Sequence, residues 1–214
     1  MDSYKSFLES VSPYTTESEK NASIAVLDEI SAMDLSKILK LSPEPRNELE
    51  AVAMIFQSRK KSVNDLIDIT FTCSCGLQDF YVIDINDLFF NKDIDENLTI
   101  RLINDITDID NIFYKNKNIN NMDINEFNKI ENIITNNNKG IFDNNVEITC
   151  KCKKVSNISI DYKTIISKYP IKNIFEQYLD ITQFTHMTKM DVDSMIPFER
   201  EIFNTLIQER ENKE

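Results

Sequence analysis

The sequence predicts an α+β protein in which helical N- and C-terminal segments surround a small antiparallel β core with a helical insertion. Three observations lead there. Apolar residues recur at roughly helical spacing near both ends, at Ile24, Leu27 and Ile30 and again at Phe198, Ile202 and Leu206. Two short β-type runs, Ile67–Thr72 and Val146–Thr149, each end in a Cys-x-Cys pair, Cys73-Ser74-Cys75 and Cys150-Lys151-Cys152. An Asn-rich stretch, about 105–145, separates them. The chain contains 4 cysteines, so every thiol lies at the tip of one of two similar hairpins.

Composition narrows the classes. With 214 residues, 41% of them hydrophobic and 28% charged, the chain suits one elaborated domain or two small ones with a respectable core. Its formal net charge of -12 repels phosphate backbones, and the one compact basic cluster, Arg59-Lys60-Lys61, is too short to reverse that. The first residues, Met1 to Pro13, lack a cationic region followed by an apolar one, and no stretch reaches the roughly 18–20 apolar residues a membrane helix needs. A soluble, intracellular protein is expected, in which paired cysteines favour a metal over disulfides.

In chain order, residues 1–65 form a helical N-terminal region. One helix is expected over about Glu19–Leu41, closed by Pro43 and Pro45, and a second over Arg46–Gln57 with Leu49, Val52, Ala53 and Phe56 on one face. Ser58–Asp65 reads as a linker. Residues 66–162 form the β core. Its first hairpin runs through Ile67–Thr72, a knuckle at Cys73–Gly76 and a return strand Phe80–Ile85, with Phe80 and Val82 on one face and Tyr81, Ile83 and Ile85 on the other. A short strand is expected at Leu98–Leu102. Within the insertion, Asp123 caps a helix through Glu126–Ile134 that the Asn136–Gly140 run ends. The second hairpin repeats the first, with Val155, Ile158 and Ile160 on its return strand. Residues 163–214 are helical, with Ile165, Ile166, Tyr169, Ile174, Phe175, Tyr178 and Leu179 as apolar positions. The last helix starts at Pro197, carrying Phe198, Ile202, Phe203 and Leu206 inward and Glu199, Arg200, Glu209 and Arg210 outward.

Cys73, Cys75, Cys150 and Cys152 are the candidate metal ligands. Facing hairpins would bring four thiolates to one tetrahedral ion, and zinc with four cysteines is structural because no coordination position is left for water. Ribbon sites are built this way, from two local pairs joined by a loop free to grow, so the β core reads as zinc-ribbon-like. Two features depart from the usual ribbon: one residue separates each pair instead of two, and Lys153 stands where the first knuckle has Gly76. Four unligated thiols at strand ends are the alternative.

Nothing else points to chemistry. His186 is the only histidine, which excludes a multi-histidine centre, and it reads as a surface imidazole. No nucleophile elbow surrounds a serine, and 2 glycines leave no room for a phosphate-binding loop. The carboxylates of Asp84–Asp110 lack calcium-loop spacing. The expectation is a protein that is not an enzyme.

The order of motifs adds a resemblance. The run Leu49–Val63 (LEAVAMIFQSRKKSV) leads into Ile69–Gly76 (ITFTCSCG) and then Val82–Ile85 (VIDI). Asn97–Leu102 (NLTIRL) and Asp193–Phe203 (DSMIPFEREIF) follow. This succession resembles the baseplate hub subunit family of T-even-type contractile-tailed bacteriophages. The likeness covers about 50–200, with 105–145 outside it. It implies a structural or assembly component of a tail baseplate hub, working in a hetero-oligomeric assembly with other baseplate or hub proteins. Neither membrane nor nucleic acid is then expected as a partner. Its place would be the host cytoplasm during assembly and, if retained, the virion tail baseplate. The terminal helix, with Phe198, Glu199, Arg200 and Phe203, is the candidate partner-binding element, although its apolar stripe reads more readily as cover for the protein's own core. A zinc-ribbon adaptor acting on nucleic acid is the alternative function, with Lys151, Lys153 and Lys154 as its local support.

Overall fold

The computed structural model describes residues 4–89, 98–99, 113–114, 117–166 and 170–211. Among them are eight α-helices and three small antiparallel sheets. Four helices come first: α1 (Tyr4–Glu9), α2 (Thr16–Ala25), α3 (Ala32–Ile38) and α4 (Glu48–Ser62). The hairpin β1 (Leu66–Thr72) and β2 (Gln78–Asp84) follows, paired from Leu66 with Asp84 to Thr72 with Gln78. A three-stranded sheet of two-residue strands holds β3 (Leu98–Thr99), β4 (Phe113–Tyr114) and β5 (Lys117–Asn118). Then come α5 (Ile124–Ile141), the hairpin β6 (Asn145–Thr149) and β7 (Val155–Ser159), and α6 (Ile171–Thr185), α7 (Lys189–Ser194) and α8 (Pro197–Glu211).

The mixed helix-and-strand class is as expected, but several boundaries differ. The single helix expected over Glu19–Leu41 is two helices. Val26 ends α2, and α3 starts afresh because Ser31 Oγ accepts from Asp34 N–H (3.1 Å) while Glu48 Oε2 accepts from Ala32 N–H (2.8 Å). That second cap comes from a distant helix, so local periodicity gave no hint of it. Ile24 and Leu27, at helical spacing in the expected helix, are exposed. The next helix, α4, opens at Asn47, whose Oδ1 accepts from Glu50 N–H (2.9 Å). It runs on to Ser62, through what reads as a linker.

This extension absorbs the basic cluster. Arg59 is buried, its Nη1 donating to the Asn64 carbonyl (2.8 Å) to hold the turn into β1. Lys61 Nζ donates to the carbonyls of Glu9 and Val11, and Lys60 Nζ to Asn86 Oδ1 (2.6 Å). Helix α5 is also longer than expected, continuing past the asparagine run to Ile141. Ile130 and Ile134 pack with Ile119, and Ile141 enters the main core, so burial overrides the weak propensity of Asn and Gly. Of the expected strand Leu98–Leu102, Leu98 and Thr99 form β3; Ile100–Leu102 lie outside the described residues, as does Tyr169.

One main core joins the N-terminal helices to the roots of both hairpins. It contains Leu8, Leu35, Met54, Ile55 and Phe56 from the helices, Tyr14 from the segment between α1 and α2, Ile67 and Ile83 from the first hairpin, and Ile160 and Ile166 after the second. The Phe142 ring packs tilted against Phe56 and Phe89, with centroids 5.5 and 4.9 Å away, and its backbone bridges Phe89 as an isolated β pair. The insertion is therefore not a free surface excursion at its C-terminal end: removing all of 105–145 removes Phe142, and truncating such a residue costs about 3–5 kcal/mol.

The C-terminal helices carry a separate small cluster of Ile181, Val192 and Ile207 with Phe203, Tyr178 and Met187 against it. Polar contacts hold them to α2. Thr16 N–H donates to the Met195 carbonyl (2.7 Å), and Lys20 Nζ pairs with Asp193 (3.2 Å). Arg200, expected to face outward, is the largest correction. It is 1% exposed, its Nη1 lies 2.7 Å from Glu19 Oε2 (also 1% exposed), and its Nε donates to Gln177 Oε1 (2.9 Å). An isolated buried guanidinium would be prohibitive, so Arg200 goes inside only because Glu19 meets it. With Arg200, Phe203 and Ile207 turned inward, Phe198, Ile202 and Leu206 rotate out to the surface.

Candidate metal centre

The two knuckles are built alike. In the first, Cys73 N–H donates to the Leu77 carbonyl (2.9 Å) and Gly76 N–H to the Cys73 carbonyl (2.8 Å). In the second, Cys150 N–H donates to the Lys154 carbonyl (2.9 Å) and Lys153 N–H to the Cys150 carbonyl (2.7 Å). Each turn thus closes on its own strand pair and points both of its thiols the same way. Gly76 and Lys153 occupy the corresponding step, with φ of 87° and 68°.

The hairpins bring the four thiols together. Cys73 Sγ lies 3.7 Å from Cys152 Sγ, and Cys75 Sγ lies 3.8 Å from Cys150 Sγ. All four sulfurs fall within 4.8 Å of one another, and all four cysteines are free thiols. Both of these distances run between hairpins, so the cluster acts as a joint. Cys73 and Cys150 are buried, while Cys75 and Cys152 are exposed. Four cysteines at this spacing are within reach of a single metal ion.

Further contacts align the two hairpins. Tyr81 hydroxyl donates to the Thr149 carbonyl (3.0 Å), and Lys151 Nζ lies 2.7 Å from Asp79 Oδ2. Lys154 Nζ reaches Ser74 Oγ at 3.4 Å. Phe71 packs edge-on to Tyr81 with ring centroids 6.3 Å apart. Sequence reasoning did not find Asp79, Tyr81 and Ser74 as partners of the second hairpin. For Tyr81 the strand alternation with Ile83 was a usable sign, whereas nothing local marks Asp79 or Ser74.

Electrostatics makes the cluster ready for a cation. The Cys75 backbone N–H donates to the Cys73 sulfur and, despite burial, brings that thiol down to about 6. The Cys152 N–H acts likewise on Cys150, but burial and the neighbouring sulfurs outweigh it and push that thiol up to about 12. Cys75 is also raised: the Leu77 N–H works to lower it, and its sulfur neighbours and burial prevail. One thiolate therefore forms readily and discourages the others, a conflict that a coordinated cation removes by deprotonating its thiol ligands.

The candidate partner-binding residues are not brought to one surface. Phe198 is exposed; Glu199 is exposed and its Oε2 accepts from Ile196 N–H (3.1 Å), closing the start of α8. Phe203 is half-buried against the small C-terminal cluster, and Arg200 is unavailable for outside contact. His186 is exposed and ends α6 in a left-handed conformation (φ 59°). No helix of the described residues is long and apolar enough to cross a membrane. Comparison with protein-family models, curated proteins and solved structures yields no match.

Proposed function

We propose that this chain is a non-enzymatic structural or assembly component of a phage tail baseplate hub, acting through protein–protein contacts and stapled by a structural zinc ion in a zinc-ribbon-like β core. The observation that carries the zinc staple is the sulfur geometry. With Zn–S bonds of about 2.3 Å, the edge of a tetrahedral site made of four thiolates is about 3.8 Å, and the two cross-hairpin pairs stand at 3.7 and 3.8 Å. Such a site is closed to water and substrate, so it joins the hairpins and catalyses nothing. The succession of motifs from Leu49 to Phe203 supports the hub assignment. The nucleic-acid adaptor is the weaker reading: Lys151 is engaged by Asp79, and the net charge is -12.

Two measurements test this. Metal analysis of the natively purified protein is expected to give about one zinc per chain; a metal-free protein of unchanged stability sinks the staple. Quantitative mass spectrometry of gradient-purified particles against infected-cell lysate tests the hub. Stoichiometric presence in particles makes the protein a hub subunit. Association with hub intermediates in the lysate alone makes it an assembly factor. Absence from both overturns the hub assignment.

A further inference from the structure

The outward rotation of α8 leaves a surface that is uncovered among the described residues. Phe198, Ile202 and Leu206, four residues apart, are 48%, 43% and 56% exposed. That spacing stacks them into one stripe along the helix. At its C-terminal end the stripe enters a cavity of about 450 Å3, floored by Phe184, Phe203 and Ile207 with Arg210 among its lining residues. Alongside it, the next line of α8 residues borders a polar cleft of about 360 Å3 shared with α6, whose acidic members are Glu176, Asp180 and Glu201.

Charge decides what fits. Glu199 and Glu209 flank the stripe on α8 itself, so the carboxylates of Glu176, Asp180, Glu199, Glu201 and Glu209 surround it, against the cations Arg210 and Lys172. Lys172 and Glu176 pair at 3.3 Å and cancel, so the acidic surplus over Arg210 is carried by Asp180, Glu199, Glu201 and Glu209. A second copy of this chain would bring the same carboxylates and its own net charge of -12, and an anionic membrane surface would be repelled in the same way. An apolar segment flanked by cations meets both demands.

We propose that this face docks an amphipathic helix of another protein, whose apolar anchors recur every three or four residues and are flanked by lysine or arginine. The apolar anchors lie along the Phe198–Ile202–Leu206 stripe and into the Phe184 cavity, and the cations lie over the acidic cleft. The proposal rests on the reading that the protein works through contacts, and it specifies the chemistry of one such contact.

The test uses the full-length protein and three synthetic peptides, with affinity read by fluorescence anisotropy. One peptide places leucines on one helical face and lysines on the rest, the second replaces lysine by glutamate, and the third scrambles the leucine–lysine order. The ordered leucine–lysine peptide is expected to bind at least about tenfold tighter than either other peptide, with an affinity that falls as salt rises. Ile202→Asp is expected to weaken it by at least about tenfold. Glu176→Lys with Asp180→Lys, a surface change that leaves the stripe intact, is expected to remove the preference for lysine over glutamate. Equal binding of the ordered and scrambled peptides, or unchanged binding by Ile202→Asp, overturns the proposal. So does an Ile202-dependent dimer in sedimentation. Failure of these peptide tests in a protein that does associate with hub particles removes this surface alone, whereas peptide binding without hub association removes the hub assignment alone.

Discussion

After its second cysteine the first knuckle has Gly76 and the second has Lys153, yet both positions take the left-handed backbone, at φ 87° and 68°. For glycine that conformation carries no steric penalty; for an L-residue with a Cβ it costs on the order of 1 kcal/mol. The hydrogen bonds of the two turns are nonetheless the same, so the turn geometry follows from the need to aim two sulfurs and not from the residue at the tip. A strained residue persists where its surroundings over-determine it. Around Lys153 those surroundings are the paired strands of β6 and β7, the Lys151–Asp79 contact, the Lys154–Ser74 contact and the shared thiols. The first knuckle is shaped by its own sequence, the second largely by what it faces.

The largest effect should come from removing the shared element. Cys73→Ser and Cys152→Ser are both expected to abolish metal binding and lower the Tm by on the order of 10 °C or more, because structural metal binding is folding free energy. The buried Cys73 should be the more costly of the two, since its replacement leaves a hydroxyl inside. Thermal unfolding with parallel metal analysis checks this, and a wild-type Tm in either variant would break the reading. A chelator should lower the Tm of the wild type and leave that of Cys73→Ser unchanged. If the second knuckle depends on its partner, chelation should also raise hydrogen exchange at Lys153 and Lys154 more than at Gly76 and Leu77.

Exchanging the tip residues sharpens the comparison. Lys153→Gly is expected to stabilise the protein by up to about 1 kcal/mol, and Gly76→Ala to destabilise it by about 1 kcal/mol. A Cβ at Gly76 meets nothing within 4 Å, so the second change isolates backbone strain from crowding. Chemical denaturation of both variants measures the pair; equal and negligible effects would mean the metal enforces both turns alike.

The smallest effect belongs to the exposed tether between the knuckles. Hydrogen bonding to Lys151 holds the Asp79 carboxyl below its usual range, and the same bond holds the Lys151 ammonium above its own. Asp79 therefore adds stability above its unfolded pKa of about 3.9, and this is lost as pH falls through the lower folded value. Lys151 adds stability below its unfolded pKa of about 10.4, lost as pH rises through the higher folded value. The Tm difference between wild type and Asp79→Asn should thus be visible at neutral pH and low salt, fade at both extremes, and vanish in high salt.

Much of the four-cysteine cluster was legible because its parts are local. A Cys-x-Cys pair after an alternating run such as Val146–Thr149 announces a hairpin tip, and the repetition of that pattern announces a second sulfur pair. That the pairs meet across hairpins, Cys73 with Cys152 and Cys75 with Cys150, is a long-range fact that spacing does not encode. The ends of the chain were harder to read. In α8 hydropathy turns Phe198, Ile202, Phe203 and Leu206 inward. The fold keeps only Phe203 of these against the core and buries it with Arg200 and Ile207, because Glu19 of α2 waits inside for the guanidinium.

By itself, then, the sequence determined the mixed helix-and-strand class, the cap at Asp123, the two hairpins and the four thiols at their tips, all of which arise from neighbours within a few residues. Tertiary structure decided which face of α8 is buried, where the first long helix breaks, and how far α4 and α5 extend. Each of those turns on a partner distant in sequence, Glu19 for Arg200, Glu48 for the start of α3, Glu9 and Val11 for Lys61 of α4, Phe56 and Phe89 for Phe142. A buried charge or an orphaned helix end is satisfied by whichever group the folded chain brings to it, and only the folded chain says which group that is.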